Sequence, residues 1–195
     1  MPYKRGLDVT KALVFLATGF EEIETVTVVD VLRRANIDVI VAGLEQNSIE
    51  GKHRIKIIPD QPIDNVNIND FDAVVVPGGN PGYKNLRKDP RVINILKKAF
   101  ESNKLVAAIC AAPAVLSDAG ILEGKVCTIY PGMDDELKAG GGIPKQDNIV
   151  IDGNIVTSRG PATALPFALK LVEILVGIKV ADIVSQKTLA NILSW

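Results

Sequence analysis

The sequence predicts an α/β domain, a mostly parallel sheet sandwiched by helices. Three observations carry this. Short aliphatic, β-branched runs alternate with stretches of helical period along the chain, the signature of a parallel sheet covered by helices. The 195 residues correspond to about one domain at ~150 residues each, and no linker, repeat or low-complexity tract divides them, so 1–195 reads as a single unit. Apolar residues make up 47% of the chain, enough for a sizeable core without disulfides or a structural metal.

Residues 11–18 (KALVFLAT) read as a first, largely buried strand. Val28, Val31, Leu32 and Ala35 then fall at i, i+3, i+4 and i+7, an amphipathic helix. Residues 38–44 (DVIVAGL) form a second strand, and the alternation in 53–58 (HRIKII) suggests a half-exposed strand or hairpin. Another buried strand, 72–76, stops at Pro77-Gly78-Gly79. Asp89-Pro90 opens a helix with Val92, Ile95, Leu96 and Ala99 on its core face. Residues 105–110 (LVAAIC) are strand-like. A helix over 111–119 follows, with Gly120 as its C-cap. Beyond lie a short strand over 126–130 and a short helix over 134–139 whose acids sit at its N-terminal end. Asp152-Gly153 marks a hairpin within 147–158. A helix over 161–176, with Leu165, Ala168, Leu169, Val172 and Val176 facing the core, and a last helix over 179–193 complete a flavodoxin-like pattern.

Composition narrows the function. Twenty-two basic residues against 23 acidic ones leave a net charge of -1, which argues against an electrostatic nucleic-acid reader. The polar first 11 residues lack the apolar core of a signal peptide, and the longest apolar run, 105–116, is too short for a membrane span. Two cysteines, Cys110 and Cys127, build no disulfide framework and fit a reducing cytoplasm. The single histidine, His53, excludes most zinc sites and is placed on a semi-exposed strand, away from the strand ends.

In sheets of this kind ligands sit beyond the carboxyl ends of the strands. Three loops qualify: 19–24, 77–82 and 110–113. Cys110 ends a buried strand and begins a helix among small residues, a turn that projects a nucleophile. A helix N-terminus lowers a thiol pKa, so a thiolate is expected. An inert buried cysteine fits the same local pattern. Among Glu21, Glu22 and Glu24, most of the charge is explained as helix N-terminal acid, but one carboxyl turned toward Cys110 is useful only if burial keeps it neutral. Gly78 and Gly79 can turn N–H groups toward an oxyanion, or form an ordinary turn. Neither a P-loop nor a dinucleotide fingerprint is present. Asp134, Asp135 and Glu136 read as a helix start rather than a cation site, and Cys127 as core.

Residues 19–25 (GFEEIET), 75–80 (VVPGGN), 106–113 (VAAICAAP) and 157–161 (TSRGP), in this order, resemble the DJ-1/ThiJ/PfpI family, nearest its DJ-1 and YajL branch. The resemblance spans nearly the whole chain. It implies a flavodoxin-like, class I glutamine amidotransferase-like homodimer with a reactive cysteine on a strained elbow. By this resemblance Cys110 is the nucleophile and Glu24 the protonated acid that hydrogen-bonds its sulfur. Gly79 and the N–H of Ala111 line the oxyanion side. Members act as glutathione-independent glyoxalases, deglycases, redox sensors or chaperones. The resemblance therefore implies α-oxoaldehydes such as methylglyoxal and glyoxal as partners and a chemistry that needs no metal or organic cofactor, while the composition leads to no expectation of a nucleic-acid or membrane partner. A sensor or chaperone acting through a Cys110 sulfinate is the competing reading. Relatives carry a histidine where this chain has Tyr130-Pro131, and Ala111 stands where the peptidase-like branch has histidine, which disfavours a peptidase.

Overall fold

The computed structural model describes residues 9–192. Its elements in chain order are β1 (Lys11–Leu16), α1 (Glu22–Arg34), β2 (Asp38–Gly43), β3 (Ile49–Glu50), β4 (Lys56–Ile57), β5 (Gln61–Pro62) and β6 (Ala73–Val76). They continue with α2 (Gly82–Lys88), α3 (Pro90–Glu101), β7 (Leu105–Ile109), α4 (Pro113–Asp118), β8 (Val126–Cys127), α5 (Asp134–Ala139) and β9 (Ile143–Pro144). The chain then forms β10 (Ile149–Asp152), β11 (Ile155–Ser158), α6 (Ala164–Val176) and α7 (Ile178–Lys187).

A seven-stranded sheet has the order β10-β11-β7-β6-β1-β2-β5. All its pairings are parallel except β10 with β11, the hairpin turned by Asp152-Gly153. The α/β class with helices on both faces is therefore as expected. Side chains alternate between the faces. Leu13, Phe15, Val74, Val76, Val106 and Ala108 pack toward α3 and α4, and Ala12, Val14, Ala73, Val75, Leu105 and Ala107 pack toward α1 and α6. Because β1, β6 and β7 are parallel neighbours, their carboxyl ends open at one edge, and the loops after them are forced together there.

Several boundaries differ from the sequence reading, each for a local reason. Residues 126–130 hold only a two-residue strand, β8, which pairs with β9 outside the main sheet. The helix after Cys110 starts at Pro113, whose missing N–H suits a first turn. Residues 161–163 make a 3-10 turn before α6, and the buried face of α6 is Ala164, Phe167, Ala168, Leu171 and Val172, with Leu165, Leu169 and Val176 only partly buried. The short helix α2, not anticipated, buries Tyr83 and Leu86. His53 lies in the turn between β3 and β4 rather than on a strand. Among the described residues no helix is long and apolar enough to cross a membrane.

A candidate active site at the strand ends

Cys110 occupies the residue between β7 and the turn into α4, with φ of 64°. Few residues other than glycine adopt this left-handed backbone, which costs on the order of 1–2 kcal/mol. The elbow is held from both sides: Cys110 N–H donates to Ser158 O at 3.0 Å, and Cys110 O accepts Tyr130 N–H at 2.9 Å. The central strands fix where the sulfur emerges, and the strain is carried by their ladders.

The 77–82 loop closes the site from β6. Gly78 N–H donates to Glu24 Oε2 at 2.9 Å, and Gly78 O accepts Glu21 N–H at 3.1 Å. A methyl group on Gly78 would stand 2.7 Å from Cys110 Cβ and 2.8 Å from Glu24 Oε2, so glycine is required where three loops meet. Gly79, at φ of 94°, backs onto the 19–21 backbone, where a methyl group would lie 2.3 Å from Glu21 N. The backbone amides of Gly79 and Ala111 both interact with the Cys110 sulfur. The structure thus brings Cys110, Glu24, Gly79 and Ala111 to one point.

Glu24 is 0% exposed. Its Oε1 makes no hydrogen bond of ordinary geometry, while its carboxyl and the Cys110 thiol act on each other directly. Burial pushes the Glu24 carboxyl up to about 7, against the Gly78 N–H, the Cys110 thiol and the positive charge of Lys52, which favour ionisation; the charge of Glu21 adds to the rise. The neutral glutamic acid that the sequence reading required is therefore accessible near neutrality.

The cysteine departs from expectation. Burial pushes the Cys110 thiol up to about 12, with the Glu24 carboxylate as charge and as hydrogen-bond partner adding to it and the Ala111 and Gly79 amides opposing. The anticipated fall from a helix N-terminus does not prevail, because α4 begins three residues later and the sulfur is recessed. Both pushes from Glu24 belong to its ionised form. With Glu24 protonated they vanish, and its O–H becomes a donor to sulfur. The two protonation states are therefore coupled, and protonating Glu24 removes its opposition to a thiolate at Cys110 while the opposition from burial remains.

Glu21 and Glu22 do different work. Glu21 caps α1 by accepting Glu24 N–H at 2.8 Å. Glu22 reaches the β3–β4 hairpin, accepting His53 N–H at 2.6 Å and facing His53 Nδ1 at 3.0 Å. These hydrogen bonds hold Glu22 below the usual carboxylate range although burial alone would raise it. Glu21, Glu22 and His53 each place one donor atom within 4.8 Å of the others, but hydrogen bonding already accounts for the grouping. Sequence reasoning did not foresee the Glu22–His53 clamp, whose partners lie 31 residues apart without a local signal. Tyr130, half-exposed, borders the elbow through its backbone. Cys127 is buried in the core, as expected.

Comparison with known proteins finds relatives that match most of the chain. The DJ-1/PfpI family model matches residues 10–174. Protein dj-1beta of Drosophila melanogaster is 42% identical over 85% of this chain and 89% of its own length. The crystal structure of Drosophila melanogaster DJ-1beta superposes with a TM-score of 0.89 at 39% identity, covering 96% of this chain and all of that one (100%). A glutathione-independent glyoxalase of Caenorhabditis elegans is 38% identical over 80% of this chain and 83% of its own. A deglycase of Pyrococcus horikoshii is 34% identical over 85% and 99%. A match across most of the chain, together with a strained cysteine elbow facing a buried glutamic acid, leads to one assignment: the chain belongs to the DJ-1/PfpI family.

Proposed function

We propose that this protein is a cofactor-free, glutathione-independent glyoxalase acting on α-oxoaldehydes such as methylglyoxal and glyoxal. The observation that carries this reading is Cys110, on a left-handed elbow, facing a fully buried Glu24 carboxyl beside the amides of Gly79 and Ala111. The glyoxalase and deglycase names of two relatives support it. Cys110 sulfur attacks the aldehyde carbon, forming a C–S bond, and the carbonyl oxygen takes up a proton to give a hemithioacetal. The Gly79 and Ala111 amides stabilise the oxygen while charge develops on it. Glu24 removes the proton from this carbon and returns one to the adjacent ketone carbon, whose oxygen becomes the hydroxyl. The result is a thioester on Cys110. Water cleaves it, releasing lactate from methylglyoxal or glycolate from glyoxal and restoring the thiol. One carbon is oxidised and its neighbour reduced, so the balance closes with water alone.

A general acid–base contributes about 10²–10⁴-fold, so Glu24→Gln should retain adduct formation but lose turnover by that factor. Unchanged turnover would exclude the proton shuttle. The second reading, a sensor or chaperone switched by oxidation, is favoured by the same amides at sulfur, which would also hold a sulfinate. Two equivalents of peroxide would add two oxygens to the sulfur and leave two waters. Intact-mass mapping that places both oxygens on Cys127 would eliminate it.

We further propose a homodimer. Exposed Ile23 and Val26 on α1, with Ile55 and Ile58 on and after the β3–β4 hairpin, supply an apolar surface for it. Sedimentation should give twice the mass of the chain, and a monomer would refute the assembly.

A further inference from the structure

We propose that Glu21 is a positioning residue for the Cys110–Glu24 pair, fixing the Glu24 backbone through the helix cap and setting the protonation of its carboxyl through charge. The inference deepens the glyoxalase reading and rests on it for its catalytic consequence. Glu21 is the residue immediately before α1, in extended backbone with φ of −87° and ψ of 121°. Four bonds tie it into the site. Its Oε2 accepts Glu24 N–H at 2.8 Å, its O accepts Thr25 N–H at 3.1 Å and the Thr25 hydroxyl at 2.9 Å, and its N–H donates to Gly78 O at 3.1 Å. One residue thereby joins the start of α1 to the loop that also binds Glu24.

Capping alone does not explain a glutamate here. Ser, Asn, Asp and Thr are the favoured caps, and an uncharged one would satisfy the same N–H without burying a carboxylate. Glu21 is nevertheless only 6% exposed. What glutamate adds over an uncharged cap is a negative charge one helical turn from Glu24. A like charge disfavours ionisation of a neighbour. Burial is the main force that keeps the Glu24 carboxyl neutral; the Gly78 N–H, Cys110 and Lys52 favour its charged form, and the charge of Glu21 adds to burial in opposing it. Glu22, the other acid on this turn, is engaged by His53 of the hairpin. Glu21 is thus the neighbouring acid whose charge adds to burial in holding the proton on Glu24.

The test separates charge from capping. Glu21→Gln keeps an acceptor and removes the charge, whereas Glu21→Asp keeps both. The Glu24 side chain is followed by carbon-13 NMR of labelled glutamate, and Cys110 by its thiolate absorbance, each against pH. Glu21→Gln should lower the Glu24 midpoint by about half a pH unit or more, and Glu21→Asp should stay near wild type. The basic limb of the pH–rate profile for lactate formation should move with the Glu24 midpoint. A Glu21→Gln midpoint coincident with wild type in a folded protein would overturn the proposal. If Glu21→Gln fails to fold, Glu21→Asn, a favoured neutral cap, gives the same comparison; unfolding of both would reduce Glu21 to a structural cap and also overturn it. A shifted midpoint with no lactate from any form would leave the positioning role intact and reject the glyoxalase reading instead.

Discussion

Glu22 and Glu24 lie two residues apart on the first turn of one helix, both almost wholly buried, yet they are driven in opposite directions. Glu22 meets a hairpin that offers the His53 N–H and ring and the Ile55 N–H, and those donors hold it ionised against its burial. Glu24 meets a glycine loop with one N–H for one oxygen, and burial prevails. Burial sets the cost of charge, and the number of donors decides whether the cost is met. The Glu22 region is therefore structural, clamping a hairpin to the helix start. The Glu24 region keeps a carboxyl protonated up to about neutrality beside the Cys110 thiol.

Among variants that leave Cys110 and Glu24 in place, the largest expected effect comes from removing the space the two side chains share. Gly78→Ala would drive a methyl group into both side chains and should reduce lactate formation by about 10²-fold or more, since even ~1 Å of misplacement has that effect. Activity within about twofold of wild type would show that Gly78 does not set the geometry. On the structural side, Glu22→Ala removes the acceptor for the hairpin and should cost about 1–3 kcal/mol in urea denaturation. The Glu24 titration should barely move, because Glu22 is not among the groups that act on it. A large shift would merge the two regions into one network.

Stability against pH sharpens the contrast, because the signs differ. The folded-state pKa of Glu24 is raised from 4.5 to about 7, so its contribution to stability is fully present below about 4.5 and lost as pH rises through about 7. Glu22 is lowered from 4.5, so its contribution is present above that value and lost as pH falls through its folded pKa. Glu24→Gln should abolish the decline between about pH 4.5 and 7, on the order of 1–3 kcal/mol, while Glu22→Gln should blunt the loss in acid. Identical pH profiles for the two variants would contradict the distinction. The smallest effect belongs to His53→Ala. With its side chain 63% exposed, it should cost under about 1 kcal/mol and leave turnover near wild type.

Much of the fold is legible in the sequence, because a strand buried on two faces leaves an apolar run and a helix leaves a period. Val92, Ile95, Leu96 and Ala99 are all buried as their spacing requires, and Asp152-Gly153 turns the hairpin it announces. Strand order is not written locally, so the convergence of the three loops follows only from β7, β6 and β1 being neighbours. The candidate site is half legible. Cys110 and the glycines are conspicuous at strand ends, but a left-handed cysteine has no composition signal, and the thiol's upward shift reflects burial that local sequence does not encode. Glu21, Glu22 and Glu24 look alike as helix-start acids. What separates them is the partner each meets, a cap N–H, a histidine 31 residues away and a glycine 54 residues away.

The most direct test of the central claim is lactate formation from methylglyoxal without glutathione, comparing wild type with Cys110→Ser. The proposed chemistry at Cys110 and Glu24 predicts lactate from the wild type and its loss in the variant. Equal lactate from both would show that Cys110 is not the nucleophile, and none from either would contradict the glyoxalase reading altogether.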